Sequence, residues 1–515
     1  MTNLYKKNVR VLVIEPSNQG PTHEKARPNG NLGPAYIVGA LRNHGIEVDY
    51  LDAIVGQKGR DLNETFYRKS EMENGNVRYG MDPREFPEIF SNYDIIMTST
   101  TFTIQTRMHF EIATIAKKVA RKNGKEILTV SGGVNARALR EHFLSNGFDI
   151  IGLGESERTV VQIVNQFSSK NPDYSKVERI AYRKNGKTVI TSAPFRKATK
   201  FVDNESTQPA IDAFPLDSYY KIGVPHWGAK TGKVFTGIQT VRGCQDKCTF
   251  CHISLEKKEK DLVGDIGFLK TFSPESINQN VSRAMELGVR QLYFVDDSPF
   301  YYKKRTMELA SVLKRDGLTY SASNGANLRF LVKKENNRYE PDVEFINLLA
   351  DFGLREIMLP FETRNTEIMN KYATGKFNPD EMNPIGILKA IKKAGIRAGS
   401  GFMIGFRDES WESIVKTKEF VKELFAEGLD QAGFAIPVPY PGTLDFEREM
   451  KNPEIRKNFN ENLLEWTDQM HIRGRPLFPT KIPAADLEAA VKDFWLEVNS
   501  TDYVSARSSM NISKA

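Results

Sequence analysis

Cys244-Gln245-Asp246-Lys247-Cys248-Thr249-Phe250-Cys251 holds all three cysteines of the chain. An apolar stretch over residues 235 to 241 precedes it and reads as a strand, so the three thiols share one short loop at a strand's end. Thiolates this close can wrap one face of a metal centre. Three protein ligands on a four-iron four-sulfur cluster leave one iron open, and an open iron can bind and activate a substrate where a fully ligated cluster only carries electrons. A disulfide competes poorly, because the count is odd and the loop very short. Two other readings stay open on the residues alone. His252 offers a fourth ligand for zinc, although structural zinc normally gathers ligand pairs from two segments. Cys248, Cys251 and His252 also fit the C-x-x-C-H pattern of covalent haem attachment, which needs an exported chain and leaves Cys244 unexplained.

Downstream of the loop one unit repeats five times: a helix closed by glycine and followed at once by a strand. The closing glycines are Gly288, Gly317, Gly353, Gly395 and Gly428. Glycine frees the helix end for a left-handed cap, and the short step into a strand suits a β/α barrel. With the strand before the cysteines the pattern predicts six strands and a partial barrel; an open α/β sheet is the alternative.

Upstream, strand and helix also alternate. Strands are expected over residues 9 to 13, 46 to 51, and at the stretches beginning at Asp94, Glu126 and Asp149, each followed by a helical segment. Such alternation predicts a parallel, doubly wound, Rossmann-like sheet whose ligands bind at the carboxyl ends of the strands. Those ends are small or glycine-rich: Thr98-Ser99-Thr100, Ser131-Gly132-Gly133 and Gly152-Leu153-Gly154. The rhythm breaks between residues 168 and 233, where Lys184-Asn185-Gly186-Lys187 reads as a hairpin turn and the following Pro- and Tyr-bearing stretch as a linker. From about 450 the chain reads as helical, with Leu487, Val491, Phe494 and Val498 spaced as a core stripe. The expected domains are residues 1–195, a linker over 196–233, a barrel over 234–450 and a helical extension over 451–515.

Composition limits the function classes. The 515 residues are enough for two to four units at about 150 residues each. Apolar residues make up 40% and charged residues 27%, with no run of the roughly 18 apolar residues a membrane span needs. The N-terminus shows no secretory signal, which reads as cytoplasmic. A net charge of +7 from 72 basic and 65 acidic residues is spread along the chain without a basic block, so no nucleic-acid partner is expected.

The C-x-x-x-C-x-x-C spacing, with Phe250 just before the last cysteine and the loop set after the first barrel strand, resembles the radical S-adenosylmethionine superfamily. The resemblance implies that Cys244, Cys248 and Cys251 ligate one four-iron four-sulfur cluster. It also implies that S-adenosylmethionine chelates the fourth iron and is cleaved to a 5'-deoxyadenosyl radical. Later strand ends are similar to the family's in order. Asp296 and Asp297 stand where the family places groups near the ligand's amino and carboxylate ends, and Asn327 at a ribose position. Pro360-Phe361-Glu362-Thr363 resembles the G-I-E-S segment, with Pro360 where glycine is expected, and Gly401 to Gly405 matches the adenine-side G-x-I-x-G.

The N-terminal region resembles the cobalamin-binding domain of the subfamily that uses both cofactors. The matching segments contain Leu32 and Gly33; Thr98, Ser99 and Thr100; Gly132, Gly133 and Asn135; and Gly154, Glu155 and Thr159. Small residues at these ends would let the backbone approach a bulky corrin and its phosphate. Asn135 stands where many relatives carry histidine, and no D-x-H-x-x-G occurs, so no histidine ligand below cobalt is expected; His23 is the single histidine in the loop after the first strand.

The resemblance implies a cobalamin-dependent methyltransferase that moves a methyl group from methylcobalamin to an unactivated carbon of a small molecule after hydrogen abstraction. Length and layout lean towards the phosphonate-type methylases. A flavodoxin- or ferredoxin-type protein would supply electrons. A cobalamin-dependent radical cyclase or ring-rearranging oxidase, without net methylation, is the nearest alternative, and a non-catalytic corrinoid-binding protein a more distant one. No residue is singled out as catalytic.

Overall fold

The computed structural model describes residues 9–21, 28, 30–193, 208–223, 232–336, 338–376, 378, 380–471 and 476–499; His23 lies outside them. The chain divides into two units. The first comprises Met1–Gly223, Leu255–Gly267 and Lys457–Asp468, and the second Val224–Ser254, Phe268–Arg456 and Gln469–Ala515.

The first unit is built on a seven-stranded sheet. Five parallel strands, Glu47–Asp52, Arg10–Glu15, Ile95–Ser99, Leu128–Gly132 and Ile150–Gly152, lie side by side in that order. Alternate residues of one strand serve opposite faces: Val11 and Val13 join Val38, Leu41 and Val164 in one core cluster, while Leu12 and Ile14 join Phe86, Phe90 and Ile112 in the other. Helices therefore cover both faces, as the strand-helix alternation predicts. The sheet continues through an antiparallel hairpin, Ile180–Lys184 and Lys187–Ile190. Its turn residues Asn185 (φ 51°) and Gly186 (φ 75°) both take the left-handed region, which a two-residue hairpin of this hand requires.

Two features of this unit escape a reading of the sequence. A small antiparallel sheet joins Asn18–Gly20, Val77–Tyr79 and Lys69–Glu71. The stretch read as a linker contains a helix, Leu216–Ile222, and the rings of Phe214 and Tyr219 crowd Gly30, where a Cβ would come within 2.8 Å of Phe214. Within the described residues 208–223 of that stretch, Ile211, Phe214 and Tyr219 are core.

The second unit is a six-stranded parallel sheet in sequence order: Phe235–Ile238, Gln291–Phe294, Thr319–Ala322, Leu354–Glu362, Arg397–Met403 and Gln431–Ala435. All five glycines that close the repeats have φ between 74° and 112°; Gly288, Gly353, Gly395 and Gly428 directly follow a helix C-cap, whereas Gly317 lies in a turn beyond the helix that ends at Leu313. The helix Ala484–Val498 buries Leu487, Val491 and Phe494, with the Phe494 ring 5.7 Å from that of Phe434 on the sixth strand. Asn499 then exchanges two 3.0 Å hydrogen bonds with the backbone of Ala432, so the tail closes the strand's free edge. Among the described residues no helix is long and apolar enough to cross a membrane.

Candidate functional site

The cysteine loop is built by the strand that follows it in the sheet. Asp296, fully buried, accepts hydrogen bonds from the Thr240 backbone N–H (2.5 Å), the Thr240 hydroxyl (2.5 Å) and the Val241 N–H (3.0 Å). Burial pushes its carboxyl up to about 6, against those hydrogen bonds and the nearby Arg305 charge. Asp297 accepts from the Gly243 N–H at 2.7 Å. Gly243 itself has φ 76°, and a Cβ there would lie 2.3 Å from the Phe268 carbonyl oxygen, so only glycine turns the chain into the loop. The acidic pair, expected near a ligand, thus holds the loop's entry in place.

Asp246, between Cys244 and Cys248, is buried and accepts from Asn327 Nδ2 at 2.7 Å, with Arg329 Nη2 3.6 Å from its other oxygen. Asn327 therefore also faces the loop, from the end of the third strand. Ser298 donates to Gln245 Oε1 at 3.3 Å. From the opposite side, the Lys247 and Thr249 N–H groups donate to the carbonyls of Thr374 and Tyr372. Phe250 packs with Phe406, Ile368, Tyr372 and Met403.

Glu362 ends the fourth strand at φ 60°, a strained value for a side chain of its size, and forms an ion pair with Lys376. The Lys376 ammonium stands 5.7 Å above the Phe250 ring. Burial opposes its charge, but Glu362 and the thiols of Cys248 and Cys251 outweigh burial and hold its pKa above the usual lysine range. Gly401 has open space where a Cβ would be, which leaves room for a ligand. Gly405 does not: Leu487 from the tail helix fills its space at 2.7 Å, and its N–H donates to Glu409 at 2.8 Å.

None of the three cysteines is in a disulfide; Cys248 is buried and the other two half-buried. Burial pushes the Cys251 thiol up to about 12 and Cys248 higher still, so metal binding must displace their protons. Among the described residues no three His, Cys, Asp or Glu converge as ligands of one ion. A zinc ion would draw its thiolates to about 2.3 Å, whereas the separate irons of a cluster hold them apart. The loop fits a cluster better than a single ion.

In the first unit the predicted strand ends divide into two sets. One is consumed by the fold. The Thr100 hydroxyl donates to the Gly132 carbonyl and accepts from the Ala136 N–H, Asn135 Nδ2 donates to the Thr106 hydroxyl at 3.0 Å, and Thr98 donates to Ser131. A Cβ on Gly133 would meet the Thr100 carbonyl oxygen at 2.4 Å, and one on Gly154 the Val263 carbonyl oxygen at 2.9 Å. Leu32 and Thr159 are buried, the Thr159 hydroxyl lies 3.4 Å from the Glu155 carbonyl, and Glu155 precedes the helix Ser156–Ser168. The other set leaves more room: a Cβ on Gly132 would meet nothing nearer than 3.5 Å, and one on Gly33 the Ser99 hydroxyl at 3.3 Å and Asn31 Oδ1 at 3.5 Å. Gly33, Ser99 and Gly132 are the residues that fit a corrin cradle.

The sequence reading missed Asp246, Lys376 and Glu409. Their partners lie 81, 14 and 4 residues away, and only Glu409 could have been found locally.

Comparison with known proteins accords with this geometry. Residues 238–421 match the radical SAM superfamily. An uncharacterized methyltransferase of Pyrococcus horikoshii is 26% identical over 374 residues, 72% of each chain. The cytidylyl-2-hydroxyethylphosphonate methyltransferase of Streptomyces wedmorensis is 22% identical over 507 residues, 91% of this chain and 86% of the relative. Among solved structures, the radical S-adenosylmethionine methyltransferase TsrM from Kitasatospora setae, with cobalamin and a [4Fe-4S] cluster bound, superposes with a TM-score of 0.62 at 14% identity, covering 86% of this chain and 78% of that one. The cobalamin-dependent radical enzyme OxsB gives 0.60 at 17%, covering 88% of this chain and 56% of that one.

Proposed function

We propose, for a chain that belongs to the radical S-adenosylmethionine superfamily and has the fold of its cobalamin-dependent members, that it transfers a methyl group to an unactivated carbon of a small molecule. The observation that carries this reading is three cysteines outside any disulfide on one loop at the end of the first barrel strand, in a chain whose other unit is a doubly wound sheet with room beside Gly132 at a strand end.

Cys244, Cys248 and Cys251 would hold the cluster, and Gly33, Ser99 and Gly132 would lie against the corrin. When bound, cluster and S-adenosylmethionine supply hydrogen-atom abstraction and the corrin supplies the methyl group. The protein's own part is positional. Asp296 and Asp297 fix the loop's entry, Asp246 with Asn327 fixes its middle, and Phe250 with Phe406 covers its apolar side. Lys376 sets a cation beside the thiols, which favours their thiolate forms. Glu362, now paired to Lys376, and Gly401, with open space beside it, are the residues offered to S-adenosylmethionine on this strand-end face.

A phosphonate-type substrate is the favoured class, since the match to the Streptomyces wedmorensis methyltransferase extends over nearly the whole of both chains. The test is anaerobic turnover of reconstituted, cobalamin-loaded protein with candidate phosphonates, counting 5'-deoxyadenosine, S-adenosylhomocysteine and methyl groups in the product. Equal amounts of all three support methyl transfer. Production of 5'-deoxyadenosine with a rearranged, unmethylated product would replace it with cyclase or oxidase chemistry.

A further inference from the structure

The turn that leaves the helix Thr366–Tyr372 runs along the cysteine loop. The Thr249 N–H donates to the Tyr372 carbonyl at 2.8 Å and the Lys247 N–H to the Thr374 carbonyl at 3.0 Å. Gly375 takes φ 99°, and a Cβ there would lie 3.1 Å from Asp246 Oδ1, so turn and loop lie close. Lys376 comes next. Its ammonium stands 5.7 Å from the centre of the Phe250 ring, and Phe250 lies between Cys248 and Cys251 in the chain. The ammonium pairs with Glu362 at the end of the fourth strand. The pair is largely withdrawn from solvent, with 20% of the lysine side chain and 10% of the glutamate exposed.

The charges around the thiols act unequally. Burial raises the pKa of both Cys248 and Cys251; among the charges on Cys248, Lys376 acts most strongly, ahead of the opposing Glu362 and Asp246, while on Cys251 Asp297 acts ahead of Lys376. Asp246 is already engaged by Asn327 and Arg329, and Asp297 by the Gly243 N–H. A cluster becomes more negative by one charge when it accepts an electron. A cation beside its ligands therefore stabilises the reduced form, and an anion beside them the oxidised form. A pair withdrawn from water is screened little by salt.

We propose, on the function given above, that Lys376 sets the reduction potential of the cluster held by Cys244, Cys248 and Cys251, and that Glu362 moderates it. The step concerned is the gain of one electron: an external one-electron donor is oxidised, the cluster is reduced, no bond forms or breaks and no proton moves. Lys376 raises the potential through its charge, and Glu362 lowers it by opposing that charge. A packing role for the pair would cost cluster content in either variant, whereas a field shifts the potential in opposite directions.

The test is a redox titration of cluster-loaded full-length protein, with neither S-adenosylmethionine nor cobalamin added. Dithionite with mediators sets the potential, and electron paramagnetic resonance follows the reduced cluster. Lys376→Met is expected to lower the midpoint by about 59 mV, a tenfold drop in the equilibrium constant of a one-electron couple. Lys376→Arg should stay near wild type, and Glu362→Gln should move the midpoint upward. Lys184→Met, the same change in net charge on the exposed hairpin of the first unit, should leave it where it was. A midpoint for Lys376→Met equal to wild type, or an equal shift in Lys184→Met, would overturn the proposal. Should Lys376→Met lose its cluster, Glu362→Gln decides alone, and a midpoint at or below that of wild type rejects the role. Failure of wild-type protein to assemble any cluster would instead overturn the function on which the role rests.

Discussion

Asn327 Nδ2 lies 2.7 Å from Asp246 Oδ2, both residues buried, and this hydrogen bond ties the end of the third barrel strand to the middle of the cysteine loop. Removing the amide leaves a buried carboxylate short of a donor, a loss of about 1–3 kcal/mol. Asn327→Ala should therefore lower thermal stability and the iron retained after reconstitution, and Asn327→Asp should do worse by setting two carboxylates together. Iron and sulfide analysis checks this; unchanged cluster content in both variants would show that the contact does not shape the loop.

Each of Cys244, Cys248 and Cys251 would be a third of the protein's ligation, so alanine at any one should abolish the cluster and 5'-deoxyadenosine formation together. The charge-transfer absorbance of the cluster, with metal analysis, reads this out. Bound zinc without iron in wild-type protein after anaerobic reconstitution would falsify the assignment.

The glycines of the first unit should separate a corrin cradle from a packing requirement. A Cβ at Gly132 would meet no protein atom nearer than the Ser156 hydroxyl at 3.5 Å, so Gly132→Val should keep the fold while reducing cobalamin retention. Gly133→Ala should destabilise the unit itself, because φ 87° costs about 1–2 kcal/mol for an L side chain and the Thr100 carbonyl oxygen stands 2.4 Å from the new methyl. Cobalamin stoichiometry measured beside the far-ultraviolet melting curve distinguishes them; corrin bound normally by Gly132→Val would remove Gly132 from the site.

Glu15 and Asp52 end adjacent strands in register and share a buried site with Tyr219, whose hydroxyl donates to Asp52 at 2.7 Å. Burial, then repulsion from Asp52, pushes Glu15 up to about 8; burial pushes Asp52 up to about 6 against its hydrogen bonds to Tyr219 and Ile54. Raised carboxyl values mean the folded state holds protons that the unfolded state has lost. Their stabilising effect is full below about pH 4 and disappears as pH rises through 6 and then 8, with a slope of at most about 1.4 kcal/mol per pH unit for each group. Chemical denaturation from pH 5 to pH 9 should show this decline, and Glu15→Gln should flatten its upper part. A wild-type stability that rises towards pH 9 would contradict it.

The barrel was legible because its signal is local and repeated: five helices, each followed by a left-handed glycine and then a strand. The doubly wound sheet was legible for the same reason. That Asp296 and Asp297 hold the backbone of Thr240 and Gly243 was not legible, because a strand-end carboxylate looks the same in sequence whether it faces a ligand or backbone. Gly405 was likewise visible as a needed glycine; its φ of 86° favours glycine locally, while the packing of Leu487 against it, from the tail helix, was not visible in the sequence.

What the sequence determined by itself was the periodic architecture and the loop that gathers the thiols, since spacing of a few residues and local backbone preference suffice for these. Tertiary structure alone decided which glycines are open and which are filled, that Glu362 faces Lys376, that Phe214 and Tyr219 in the stretch read as a linker are core, and that segments 255–267 and 457–468 belong with the first unit. Those outcomes depend on contacts between residues far apart in the chain, and such contacts follow from packing and charge pairing in three dimensions, which no local pattern encodes.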